Sequence, residues 1–421
     1  MWGYSTAGFF VSKRKSPMRV FSMLATVAAV LGGASALAAE PVPARDQRLP
    51  DFSWDTIPLY MHVRKATAFT DDELDYLASF PLVTLEKTTG LRSSGSTDEG
   101  TIVAAKAIKE RNPRTKVLFY RNVLVHYGGY SFDDRLSQIP HPFLIDTRGN
   151  IRLVRNVSEA YDLANPQVVD WWVDTALGVC RHDAIDGLFL DGNIKAITPY
   201  LARQLPPGKK EAVTAGYRDM IGRIRTELPK SDLLIANMIR AAYFPDAGLG
   251  YLEPFDGSYI EGFDVVVGKM TEAELIAKGI EAIQQAARDG NIIAMTLGLG
   301  ESVADATKID DTRARIDALE AMEERVDYLI GLFLVCAERH SYLYVHDGYS
   351  ADYRRDECQS KVWLKRFPQY DKPLGAPLGP AVREGFVFTR RFEHVDVMVD
   401  LEKKQATLDW RPPGEAAERP R

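Results

Sequence analysis

Short apolar, β-rich runs alternate with longer amphipathic stretches from about Thr56 to Arg366. The runs fall at Ile57–Val63, Leu82–Lys87, Lys116–Arg121, Gly187–Asp191, Leu233–Asn237, Gly257–Glu261, Asn291–Thr296 and Ser341–Val345. Several are apolar at consecutive positions, as in Val117-Leu118-Phe119-Tyr120 and Leu188-Phe189-Leu190, the pattern of parallel strands covered on both faces. Between them, helical patterning marks Asp71–Phe80, Glu99–Arg111, Pro166–His182, Lys210–Leu228, Glu272–Asp289, Thr312–Glu338 and Asp352–Phe367. Asn165-Pro166 offers a cap and a first-turn proline, and Thr271 with Glu274 has capping-box spacing. Eight strands alternating with helices over roughly 300 residues predict an α/β chain with a (β/α)8 TIM barrel at 52–367. A doubly wound sheet fits less well, because no GxGxxG opens a first βα turn.

Two stretches depart from a bare barrel. Asn122 to Asn165 is a long connection after the third strand, where Phe143–Asp146 and Ile151–Val154 flank Thr147-Arg148-Gly149-Asn150 and read as a β-hairpin. Loops after barrel strands build the active face, so this one is expected to wall the cleft. Beyond Phe367, Gly385–Phe392, Val395–Leu401 and Ala406–Trp410 read as antiparallel strands. They predict a small C-terminal β appendage over 368–410, with 411–421 as a disordered tail.

Composition narrows the function classes. Of 421 residues, 26% are charged and 46% hydrophobic, which excludes a disordered chain, a collagen-like repeat and a coiled-coil rod. The formal charge is −6. Residues 1–38 have the layout of a secretory signal peptide: a basic start from Lys13 to Arg19, an apolar stretch Val20–Leu31, and Ala36-Leu37-Ala38 as a cleavage site. Its removal takes four basic groups and leaves a charge of −10, so phosphate backbones are repelled and no nucleic-acid partner is expected. The mature chain is expected to be exported to the periplasm or beyond, with no membrane span. Three cysteines make no disulfide scaffold; Cys336 and Cys358 form one conceivable pair. The seven His are scattered, so neither a metal nor another cofactor is expected.

In a barrel, the C-terminal ends of strands face the site. Those ends offer Tyr60 and His62, then Glu86 and Lys87, Arg121 and Asn122, Asp191 and Asn193, Asn237, Tyr259 and Glu261, Thr296, and His346. Carboxylates on separate strands, set among aromatic and amide groups, suit glycosidic hydrolysis. That reaction needs one carboxyl group as proton donor and another as nucleophile or water-activating base. Tyr60, His62, Glu86, Lys87, Arg121, Asn193, Asn237, Tyr259 and His346 are then the expected substrate-binding set.

One motif carries a resemblance. Tyr161-Asp162-Leu163-Ala164-Asn165-Pro166, Asp170-Trp171-Trp172 and Asp186-Gly187-Leu188-Phe189-Leu190-Asp191 together resemble bacterial glycoside-hydrolase-like barrels, the hypothetical glycosyl hydrolase family fifteen. The chain is more distantly similar to the endo-α-1,4-polygalactosaminidase type, which also has an Asp-Gly-x-Phe-Leu-Asp strand. The resemblance implies a carbohydrate substrate, with Asp191 and Glu261 as the catalytic pair. Gly192 departs from the polar residue expected beside Asp191. Two other functions compete: a carbohydrate-binding barrel without catalysis, and a metal-dependent hydrolase, which would need more His ligands than Tyr60-Met61-His62-Val63 supplies. Sugar, linkage, stereochemical outcome and oligomeric state stay open.

Overall fold

The computed structural model describes residues 48–266, 268–299, 324–346, 348–351 and 362–412. The expected leader, residues 312–323 and 352–361 of the two last helical stretches, Cys358 and nearly all of the tail lie outside those residues.

Strands β1 (Met61–Val63), β2 (Leu82–Leu85), β3 (Lys116–Asn122), β4 (Gly187–Asp191), β5 (Leu233–Asn237), β6 (Gly257–Ile260), β7 (Ile292–Gly298) and β8 (Ser341–His346) pair in parallel in chain order. Closure comes just before β1. Leu59 bridges Leu343, the Tyr60 N–H donates to the Leu343 carbonyl, and the Leu343 N–H donates to that of Pro58, each at 2.8 Å. The expected (β/α)8 barrel is the fold.

The described helices are α1 (Asp71–Ala78), α2 (Leu91–Ser94), α3 (Thr97–Arg111), α4 (Asp133–Ser137), α5 (Pro166–Cys180), α6 (Asn193–Ile197), α7 (Lys209–Glu227), α8 (Glu272–Arg288) and α9 (Val326–Cys336). Local chemistry starts them where expected. The Asn165 side chain accepts the Gln167 N–H at the head of α5, and Thr271 and Glu274 close a capping box on α8. A second capping box, Thr70 with Glu73, begins α1. Ile276, Ile280 and Ile283 line the buried face of α8, each contributing roughly 1.5–3 kcal/mol by leaving water.

Side-chain parity decides what faces the barrel axis, because successive strand residues point to opposite faces. Tyr60, His62, Phe189 and Tyr259 pack together inside, with the His62 ring 4.9 Å from Phe189 and 5.0 Å from Tyr259. At the opposite end, Asp186 accepts the Val117 N–H at 2.8 Å and pairs with Lys109 at 2.6 Å, so Asp186-Gly187 is a structural corner. Gly187 stands at φ +140 with the Leu233 carbonyl where a Cβ would lie, and only glycine fits.

The C-terminal sheet has order β12-β11-β10-β9, from β9 (Val382–Glu384), β10 (Val387–Arg391), β11 (Val395–Asp400) and β12 (Gln405–Trp410). Strand β9 adds to the three expected. Val395, Val397 and Val399 alternate into the core, and Gly331 of α9 lets the helix lie against Val399 and Ala406. Arg390 is buried and donates to the Leu334 and Ala337 carbonyls at the end of α9, a favourable place for a cation.

Two expectations change here. Residues 143–154 do not form a hairpin. Phe143 bridges Tyr161, the Leu144 N–H bonds the Ala160 carbonyl, and Val154 bridges Ser158. The Asp146 carboxylate takes the Arg148 and Asn150 N–H groups and the Asn150 amide, each at 2.8 Å, closing the turn by side chain instead of by a ladder. Cys336 and Cys180 are free buried thiols. Among the described residues, no helix is long and apolar enough to cross a membrane.

Candidate active site

Asp191 ends β4 half-buried, with four donors on its carboxylate. The Tyr120 hydroxyl and the Asn122 Nδ2 donate to Oδ2 at 2.7 and 2.9 Å. The Gly192 N–H and the Asn237 Nδ2 donate to Oδ1 at 2.7 and 3.2 Å. A carboxylate offers about four acceptor positions, so the anion is saturated. Burial is the largest influence on its acidity and raises the pKa. The Tyr120 hydrogen bond, the charges of Lys195 and Lys87 and the Gly192 N–H outweigh it, and the net shift is downward. Tyr120 moves the other way, well above 10, through burial and then the Asp191 charge, so it remains a donor.

Gly192 explains its own identity. It sits at φ +81, and a Cβ there would lie 2.5 Å from Asn122 Oδ1. Asn122 cannot yield easily, because that oxygen also accepts the Leu124 and Val125 N–H groups at 3.0 and 2.6 Å. A polar side chain at 192 would therefore push out the amide that orients Asp191.

Glu261 follows β6. Its Oε2 accepts from Asn237 Nδ2 at 3.0 Å and pairs with Arg240 at 2.7 Å, and its side chain is 40% exposed. One amide nitrogen thus bridges both carboxylates. Laid end to end the two bonds span about 6.2 Å, so Asp191 Oδ1 and Glu261 Oε2 are no further apart than that. Both carboxylates line a cavity of about 390 Å³ at the C-terminal ends of β4–β6, together with Arg155, Lys195, Tyr200, Arg240 and Tyr243.

Residues 109–396 match the model of hypothetical glycosyl hydrolase family 15. The chain belongs to that family. No curated protein matches the sequence. Among solved structures, the maltogenic α-amylase AmyB of Thermotoga neapolitana is 14% identical, covering 85% of this chain and 86% of that one, with a TM-score of 0.45. The GH36 α-galactosidase AgaB of Geobacillus stearothermophilus is 12% identical over 84% of this chain and 48% of that one, at a TM-score of 0.46. The α-galactosidase TtGalA of Thermus thermophilus is 15% identical over 85% and 68%, at 0.40. Likeness this distant says nothing of substrate or of individual residues.

Of the residues expected from sequence, this family 15 barrel brings Asp191, Asn237 and Glu261 together on the cavity wall. The others lie elsewhere. Arg121 is a correction: it is fully buried on the outer face of β3, with its guanidinium 4.7–5.4 Å from the rings of Tyr130, Phe132, Trp171 and Trp172. Tyr120 and Asn122 point inward instead, one position to either side. Asn193 is buried, donating to the Leu190 carbonyl and accepting from Tyr217, which makes it a brace under α6. Tyr60 and His62 hydrogen-bond each other at 3.0 Å within the barrel layer, beside buried Tyr259. Burial holds His62 well below 6.5. Glu86 is buried and paired with Lys87 and Arg64; Lys87 lies over the rings of Tyr120 and Tyr127. His346 stacks on Tyr344 and lies against the tilted ring of Tyr349, and burial lowers it to about 4.

The sequence reading omitted Tyr120, whose apolar neighbours marked it as core, and the loop residues Arg155, Lys195, Tyr200 and Arg240. The unbroken apolar run Val117–Tyr120 carries no alternation to mark Tyr120 as inward-facing, and no periodic signal marks a loop residue. Among the described residues, no group of three or more His, Cys, Asp or Glu is arranged to hold a metal ion.

Proposed function

We propose that this protein is an exported, retaining glycoside hydrolase in which Asp191 is the nucleophile and Glu261 the acid and base. The observation that carries the reading is the single Asn237 amide nitrogen bonded to both carboxylates, which keeps Asp191 Oδ1 and Glu261 Oε2 within about 6.2 Å of each other. Retaining pairs stand about 5–5.5 Å apart, whereas inverting pairs need about 6.5–9.5 Å to admit a water between them.

The roles follow from the surroundings. Asp191, held ionised by four donors, attacks the anomeric carbon while Glu261 gives a proton to the departing glycosidic oxygen. A glycosyl ester on Asp191 results, and the leaving sugar departs as an alcohol. Glu261, now a carboxylate, takes a proton from water, which attacks the same carbon and releases Asp191. Glu261 suits the proton-transfer role because its side chain is 40% exposed and its Oε1 makes no hydrogen bond among the described residues. Export rests on the signal-like segment 1–38.

The test is proton NMR of the first product formed from a cleaved aryl glycoside. Retention of anomeric configuration, together with loss of turnover in a folded Asp191→Asn variant, is the expected result. An inverted product, or near-wild-type turnover in that variant, would remove Asp191 from the nucleophile's role.

A further inference from the structure

The cavity beside the carboxylates is lined by three cationic side chains, Arg155, Lys195 and Arg240, in a chain whose formal charge is −6. Arg240 is engaged by Glu261. Among the described residues, neither Arg155 nor Lys195 has an ion-pair partner, and Asp191 is already saturated by uncharged donors. Both free cations act on one aromatic residue. Lys195 Nζ stands 5.9 Å from the centre of the Tyr200 ring, and the Arg155 charge is felt at the Tyr200 hydroxyl. Tyr200 is half-buried on the same wall, a flat face on which a sugar ring can stack.

Arg155 reaches this wall from the long β3–α5 loop, at the tip of a tight turn closed by Val154 and Ser158. Its backbone is left-handed, at φ +52, a conformation that disfavours a residue with a Cβ by about 1–2 kcal/mol. A neutral sugar over Tyr200 would leave Arg155 and Lys195 without an ion-pair partner. An acidic group on that sugar would meet both.

We propose that the substrate is an acidic glycan, and that Arg155 and Lys195 bind a carboxylate or sulfate on the sugar lying over Tyr200. This names the substrate class for the hydrolytic site and rests on that reading of the cleft.

The test is binding calorimetry on the folded Asp191→Asn protein with matched pairs of oligosaccharides. Oligogalacturonate is compared with its methyl ester, and a sulfated galactan oligosaccharide with its desulfated form. We expect one acidic member to bind at least tenfold more tightly than its neutral counterpart. We expect that preference to collapse when Arg155→Gln and Lys195→Gln are added, with the thermal midpoint unchanged. The pair that discriminates tells carboxylate from sulfate. Equal affinities, a preference that survives both substitutions, or no binding by either acidic member would overturn the proposal.

Turnover of neutral aryl glycosides by the wild type, abolished by Asp191→Asn, would then leave the hydrolytic reading standing without it. Acid-selective binding with no product from any glycan would instead sink the hydrolytic reading alone.

Discussion

Replacing Asn237 by Ala removes the one group that touches both carboxylates. Asp191 keeps three of its four donors, and Glu261 keeps Arg240. A hydrogen bond to a charged group is worth about 1.5–3 kcal/mol net, and one pKa unit corresponds to about 1.4 kcal/mol. Losing that bond penalises the ionised form of Asp191, so its pKa rises. The acid limb of kcat/KM should move upward by about 1–2 pH units, with kcat/KM on the plateau reduced roughly 10–100-fold. The assay is a pH profile on an aryl glycoside with a good leaving group, so that the limb reports the nucleophile and not the proton donor. Circular dichroism confirms that the variant is folded. An acid limb that stays in place in a folded Asn237→Ala protein would refute the bridging role and the close pairing inferred from it.

Other outcomes follow from neighbouring geometry. Gly192→Ala should destabilise the protein by about 1–2 kcal/mol for the left-handed backbone and roughly 1–3 kcal/mol more as Asn122 loses its buried bonds, with activity falling too; calorimetry showing an unchanged midpoint would contradict this. Arg121→Ala should cost roughly 2–5 kcal/mol through the emptied aromatic cage while leaving KM alone, whereas a raised KM with intact stability in urea would return Arg121 to the substrate. His346, lowered from 6.5 to about 4, stays neutral when folded while the unfolded chain takes up a proton. Stability should therefore fall by about 1.4 kcal/mol per unit as pH drops from 6.5 towards 4, with His62 adding in the same direction. His346→Phe should flatten part of that slope; an identical slope would show that His346 does not drive it.

The sequence by itself determined the barrel and the candidate polar residues at the ends of its strands. Strands buried on both faces leave consecutive apolar residues, and the ends of such runs are where carboxylates have no structural reason to be. That made Asp191 and Glu261 legible, and Asn237 with them. Caps at Asn165 and Thr271 were legible for the same kind of reason, since they depend on a few adjacent residues. Parity at β3 was not: an unbroken run such as Val117–Tyr120 carries no alternation, so only pairing with β4 shows that Tyr120 and Asn122 face Asp191 and that Arg121 faces the helices. Gly192 looked anomalous in the sequence because the atom that forbids a side chain there, Asn122 Oδ1, lies 70 positions earlier. Arg155, Lys195 and Tyr200 meet Asp191 only because the β3–α5 loop and the segment after β4 fold over one mouth. Local patterns record which face of an element is buried; the distances between elements, and therefore the spacing of two carboxylates and the charge around them, exist only once the chain has closed.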